Sequence, residues 1–79
     1  MEVKVINNKR VLYQGYIYSL IAPGFNGYFQ ILKNHAPFIS ILKNGFLKLL
    51  INNMNENKKI KIKEEGLLQV KKNKVIVIL

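Results

Sequence analysis

Every window of this chain long enough for three helical turns is broken by Gly, Pro or Asn, and that punctuation limits what the sequence can fold into. Between the breaks the residues alternate with period two. In "EVKVI" Val3 and Val5 point one way and Glu2 and Lys4 the other, as a half-buried strand requires. After the turn "NNKR", the segment "VLYQGYIYSLIAP" is rich in β-branched and aromatic residues. Gly15 in its middle predicts a bulge or a close backbone approach, and Pro23 and Gly24 end it. "PGFNG" reads as a turn through Gly27, "YFQIL" as a short strand, "KNHAP" as a loop shaped by Pro37, and "FISILK" as the next strand.

Asn44 and Gly45 give the strongest hairpin signal, because both central residues of a type I′ turn need positive φ, which Asn and Gly adopt at low cost. "FLKLLI" is then the return strand. "NNMNEN" makes a longer turn, and "KKIKIK" sets Ile60 and Ile62 against Lys59, Lys61 and Lys63. "EEG" turns again, and "LLQVK", a tight "KN" and "KVIVIL" complete the set. The expectation is an all-β chain of about eight to ten short strands, an antiparallel sandwich or barrel forming one domain over residues 1–79. The last strand pattern stops at Leu79 and needs a neighbour, since an apolar edge strand invites aggregation.

A domain of 79 residues buries only roughly 60% of its unfolded surface, so a staple or a partner is expected to support it. The absence of Cys excludes a disulfide and a Cys-based metal site, which leaves partner binding. The opening "MEVKVINNKR" lacks the apolar run of a secretory signal, and the longest apolar run, "VIVIL" at 75–79, is far short of a bilayer span; the chain reads as intracellular and soluble. The formal charge of +9 comes from twelve lysines and a single Arg10. Lys, Asn and Ile make up 33 of the 79 residues, a skew that an AT-rich coding sequence would produce by itself, so the charge is a weak sign of function.

Catalytic chemistry finds no constellation. The acids are Glu2, Glu56, Glu64 and Glu65; the last two share a solvated turn, which offers neither the cleft nor the shifted pKa that paired carboxylates need. His35 is the single histidine, in a chain without Asp or Cys to orient it, and one His cannot hold a metal alone. No glycine pattern cradles a phosphate, and no cofactor is expected. Nucleic-acid binding is the rival reading, because small basic β-barrels bind RNA or single-stranded DNA through aromatic stacking platforms. Here the Tyr and Phe residues lie between 13 and 46 and the dense lysines between 58 and 74, whereas a platform interleaves them. The lysines of "KKIKIK" also take the positions a half-buried strand gives to solvent, so no nucleic acid is expected.

Taken in order and spacing, Gly15 after a short second strand, "PGFNGYF" at 23–29, "NHAPFIS" at 34–40, "LKNG" at 42–45 and "GLLQVKKNKVIVI" near the end resemble the N-terminal β-sandwich of the F-type ATP synthase epsilon subunit, named delta in mitochondria. The resemblance runs over nearly the whole chain. It implies a two-sheet sandwich of about ten strands at the foot of the central stalk. It also implies a non-catalytic rotor subunit that binds the gamma subunit along one side and the polar loops of the membrane c-ring at its lower end. Such a subunit helps couple proton flow to ATP synthesis, as a peripheral component on the cytoplasmic side of a bacterial plasma membrane. By that resemblance Tyr28, Asn34 and His35 are candidates for the ring-facing end, Asn7 and Ser40 for the gamma side, and Gly15, Gly27, Pro37 and Gly45 for shaping the backbone.

Two departures qualify the likeness. The family usually continues into a C-terminal helical hairpin that can bind ATP and restrain hydrolysis, and no residue follows Leu79 here, which implies coupling without inhibition by that route. The family's usual "GEFG" turn is Gly27, Tyr28, Phe29 and Gln30, and its "PGHAP" is Lys33, Asn34, His35, Ala36 and Pro37. An acidic ring contact is therefore replaced at Tyr28 by a ring and a hydroxyl.

Overall fold

A computed structural model describes residues 1–54 and 56–79, and Asn55, inside the expected "NNMNEN" turn, lies outside the described residues. The described residues contain nine strands and no helix: β1 (Glu2–Ile6), β2 (Val11–Tyr16), β3 (Ser19–Gly24), β4 (Gly27–Leu32), β5 (Phe38–Leu42), β6 (Gly45–Leu50), β7 (Asn57–Ile62), β8 (Gly66–Lys71) and β9 (Lys74–Ile78). They form one curled sheet that works as two layers. One layer runs β2-β1-β9-β8-β5 and the other β4-β3-β6-β7, and the two are joined where β5 meets β3 at the single pair Leu42 with Gly24. This is the all-β sandwich expected, with nine strands for the eight to ten read from the turns.

The period-two pattern decides which side chains meet. Val3, Val5, Leu68, Val70, Val75 and Val77 from the first layer face Leu20, Ala22, Ile31, Leu47, Leu49 and Ile62 from the second, all buried, with Ile17 and Leu42 closing the cluster. β1, β6, β8 and β9 hide alternate residues, so a register slip of one would bring their outward side chains into this core, whereas β3 is buried at five of its six positions. In "KKIKIK" Ile62 is buried and Ile60 half-buried, while Lys58, Lys59, Lys61 and Lys63 stay in solvent.

Several local expectations are corrected. Asn44-Gly45 is not a type I′ hairpin: Asn44 has no positive φ, and β5 pairs with β8 and β3 while β6 pairs with β3 and β7, so these residues carry the chain from one layer to the other. The tight turn with two left-handed residues is Lys72-Asn73, at φ 52° and 60°, between β8 and β9. Of the two expectations at Gly15 the bulge is not found, since Gly15 pairs regularly with Val3. The close approach is that of the Tyr13 side chain, whose Oη would lie 3.3 Å from a Cβ there. The irregularity falls at Leu12, where Val5 faces Tyr13 and Ile6 faces Val11. "VLYQGYIYSLIAP" is, as expected, not one straight strand, but the break falls not at Gly15 but at Ile17 and Tyr18, where the chain leaves the first layer to start the second. The sandwich is not wholly antiparallel, since β1 and β9 pair in parallel. That parallel pair gives β9 neighbours on both sides, and the Leu79 amide donates to the Ile6 carbonyl at 2.9 Å, so the apolar last strand is interior rather than an edge.

A candidate docking face

The outer face of the first layer carries apolar side chains where a solvated strand would carry polar ones. Following the register across five strands, Ile41 of β5 stands beside Leu67 of β8, then Ile78 of β9, Ile6 of β1 and Val11 of β2. Four of these are exposed, by 52% for Ile41, 39% for Leu67, 46% for Ile78 and 48% for Val11, and Ile6 is half-buried. A second row follows through Ile39, Gln69, Ile76, Lys4 and Gln14, with Ile39 and Ile76 again exposed. Scattered apolar side chains are normal on a surface, but a continuous row across a whole sheet is the signature of a covered face. These residues were not among the sequence candidates. Their sign in the sequence is that "FISIL" and "KVIVIL" are apolar at nearly every position, which leaves a strand no polar side to give to solvent.

The structure separates the residues expected at the ring-facing end. Tyr28 is the second residue of β4, beside the Phe25-Asn26 turn, whereas Asn34 and His35 lie beyond the other end of that strand. The four steps from Tyr28 to Leu32 span roughly 13 Å, so Tyr28 and the Asn34-His35 pair occupy opposite ends of the sandwich. At the Tyr28 end lie the loops 7–10, 25–26, 43–44 and 63–65; at the other lie 17–18, 33–37, 51–54 and 72–73.

Each candidate side chain has a defined local task. The Tyr28 hydroxyl accepts a hydrogen bond from the Phe46 amide at 3.1 Å, and a Cβ on Gly45 would lie 2.7 Å from the same oxygen, so Gly45 is where it is because the Tyr28 ring comes down onto the backbone. Gly27 and Gly45 both have positive φ, at 112° and 148°, a region that favours glycine. Asn34, left-handed at φ 66°, receives its own amide's partner from across the fold: the Asn34 amide donates to Asn73 Oδ1 at 2.6 Å, and Asn73 Nδ2 donates to Asn34 Oδ1 at 2.8 Å. His35 is half-buried with its ring edge-on to Phe38, 5.5 Å between centroids, and its Nδ1 lies 2.7 Å from the Ala36 carbonyl oxygen. Pro37 is exposed in the loop that leads into β5, and no peptide bond is cis among the described residues. Asn7 closes the β1–β2 turn, its Oδ1 accepting from the Lys9 and Arg10 amides at 2.8 and 2.9 Å, next to the Ile6 end of the apolar row. Ser40 stands on the inward side of β5, in register with buried Leu68; the side chains that β5 turns outward are Ile39 and Ile41.

No three of His, Asp or Glu come close enough to hold a metal ion among the described residues. The gap in sequence between aromatics and lysines is not a gap in space. β6 and β7 pair so that Lys61 Nζ lies 5.0 Å from the Phe46 ring centroid, and Lys58 Nζ lies 5.8 Å from that of Tyr13.

The family model described as ATP synthase, Delta/Epsilon chain, beta-sandwich domain matches residues 1–79, the whole chain. The chain belongs to this family. Its relatives include the ATP synthase epsilon chain of Leptospira interrogans serovar copenhageni, 36% identical over 78 residues, which are 99% of this chain and 59% of that relative. The chain thus spans about three-fifths of the length of that family member. Two solved structures share the fold: a chain of the Euglena gracilis mitochondrial ATP synthase, resolved as OSCP/F1/c-ring, and one of the Tetrahymena thermophila mitochondrial ATP synthase, resolved as central stalk and c-ring. The first has a TM-score of 0.86 at 14% identity, covering 96% of this chain and 48% of that one. The second has a TM-score of 0.80 at 16% identity, covering 98% and 60%. The described residues form nine strands where the resemblance implied about ten, and none of them is in a helix long and apolar enough to cross a membrane.

Proposed function

We propose that this chain is a non-catalytic rotor subunit of the central stalk of an F-type ATP synthase, which binds the gamma subunit through the outer face of β5, β8, β9, β1 and β2. The observation that carries this reading is the apolar row Ile41, Leu67, Ile78, Ile6 and Val11, continuous across all five strands and exposed in the isolated chain at every member but half-buried Ile6. A small sandwich that leaves such a row bare gains most from a partner that covers it. Asn7 sits at the margin of the row, and Ser40, turned inward, supports it from behind.

On this reading the end of the sandwich that carries Tyr28 and Phe25 faces the polar loops of the c-ring. Both side chains are more than half exposed there, 57% for Tyr28 and 65% for Phe25, and the Tyr28 hydroxyl still has its own proton to donate after accepting from Phe46. Asn34 and His35 are then assigned to shaping the far loop rather than to the ring. The subunit is peripheral to a bacterial plasma membrane on its cytoplasmic side, held there by its partners, and transmits rotation that couples proton translocation to ATP synthesis without chemistry of its own.

Co-purification with a tagged gamma subunit tests the proposal. The native chain is expected to hold gamma at moderate salt, because apolar burial is not screened, and the double variant Ile41→Lys, Ile78→Lys is expected to lose it while staying folded. Absence of any complex with the native chain would sink the reading. Steeply salt-dependent binding to RNA or single-stranded DNA in its place would favour the rival, since released counterions give that slope.

A further inference from the structure

The two Asn-Gly steps of this chain, Asn26-Gly27 and Asn44-Gly45, are alike in sequence and unlike in structure. An Asn-Gly peptide can react with itself. The Gly nitrogen loses its proton and bonds to the side-chain carbonyl carbon of Asn, the bond from that carbon to the amide nitrogen breaks, and ammonia leaves carrying the proton. Water then opens the resulting succinimide ring on one side or the other, giving aspartate or isoaspartate. Amide and water become carboxylate and ammonium, with no oxidant or reductant. Glycine in the second position favours the step because no Cβ shields its nitrogen and its backbone turns freely. The step still requires room, and a peptide that is not held in place.

Asn26 has both. It is exposed in the two-residue turn between β3 and β4, and its side chain makes no hydrogen bond among the described residues. Gly27 has φ 112° and a Cβ built on it meets nothing within 4 Å. Its ladder partner is Gly24 on the last rung before the turn, where pairing opens most readily. Asn44 has neither. The Lys43 amide donates to the Pro23 carbonyl at 2.9 Å on one side of it, and the Phe46 amide donates to the Tyr28 hydroxyl at 3.1 Å on the other. A Cβ on Gly45 would lie 2.7 Å from Tyr28 Oη and 3.2 Å from the Pro23 ring, so this peptide is clamped between β3 and β4.

We propose that Asn26 is a site of spontaneous modification in the folded protein, converting to isoaspartate and aspartate, and that the Tyr28 clamp protects Asn44 from the same reaction. The product puts a carboxylate into an otherwise uncharged turn, between Phe25 and Tyr28.

The test uses the full chain, with its fold verified by circular dichroism, aged in mildly alkaline buffer. Peptides containing each Asn-Gly step are followed by mass and by isoaspartate-specific enzymatic methylation, beside a sample aged in strong denaturant. In denaturant the two sites are expected to convert at similar rates. In the folded chain Asn26 is expected to keep most of that rate and Asn44 to slow roughly tenfold or more. Tyr28→Phe, which releases the Phe46 amide, is expected to speed conversion at Asn44 in the folded chain. Equal rates at both sites in the folded chain, or no conversion at Asn26, would overturn the proposal; an unchanged Asn44 rate in folded Tyr28→Phe would overturn the clamp.

Discussion

Tyr28 and Gly45 form one unit, although eighteen positions separate the ring oxygen from the amide it receives. Removing the hydroxyl in Tyr28→Phe is expected to cost about 1 kcal/mol, the net worth of one hydrogen bond, as read by urea denaturation. Gly45→Ala should cost more, because the new Cβ meets Tyr28 Oη at 2.7 Å and the Pro23 ring at 3.2 Å while φ stays at 148°. In the double variant the first clash is gone and the others remain, so the two costs should add to less than their sum; strict additivity would mean the two residues do not share the contact. At the opposite end, Asn73 is left-handed and bonded twice to Asn34. Asn73→Gly keeps the conformation and loses the bonds, whereas Asn73→Ala loses both, so the Ala variant should be the less stable by about 1 kcal/mol. None of this is visible in "NHAPF" or "KKNKV", because the two asparagines meet only when the β4–β5 loop and the β8–β9 turn arrive at the same end.

Edges and faces belong to the scale of the element. β7 is one of the two outer strands of its layer, and Lys58, Lys59 and Lys61 line it without a carboxylate partner among the described residues. Charged side chains there block a further strand from pairing, a purpose that period-two reading assigned only to solvation. One of these lysines is poorly placed for the fold itself: Lys59 stands directly across from half-buried Lys48. Lys59→Glu is therefore expected to stabilise the chain by a few tenths of a kcal/mol at low salt, with the gain fading as salt is added; thermal denaturation at two ionic strengths measures both effects. The strands themselves were legible, since turn residues bounded them and alternation named their buried side. Their partners were not. Asn44-Gly45 carries the local chemistry of a hairpin, yet β5 and β6 each find a better apolar match elsewhere, β5 against β8 and β6 against β3 and β7.

For the whole molecule the two layers stand or fall together, because fourteen buried apolar residues drawn from both form a single cluster. Leu20→Ala, at the centre of β3, is expected to cost about 2–5 kcal/mol, which in a sandwich this small threatens folding outright. Added gamma subunit should restore part of the loss in midpoint temperature if docking is coupled to folding, and a shift equal for native and variant chains bound to excess partner would fit the same linkage. The sequence by itself determined the all-β class, the position of most strands and turns, and the buried alternate positions of strands such as β1, β8 and β9, all of which rest on local periodicity and residue chemistry. It also carried, through ordered short motifs, the likeness to the delta/epsilon sandwich. Only the tertiary structure decided that β9 lies inside the sheet beside a parallel β1, that Tyr28 and His35 sit at opposite ends, and that Ile41, Leu67, Ile78, Ile6 and Val11 line up on one face. The reason is physical: alternation tells which side of a strand is apolar, but a continuous surface exists only once non-local pairing has chosen which strands lie side by side.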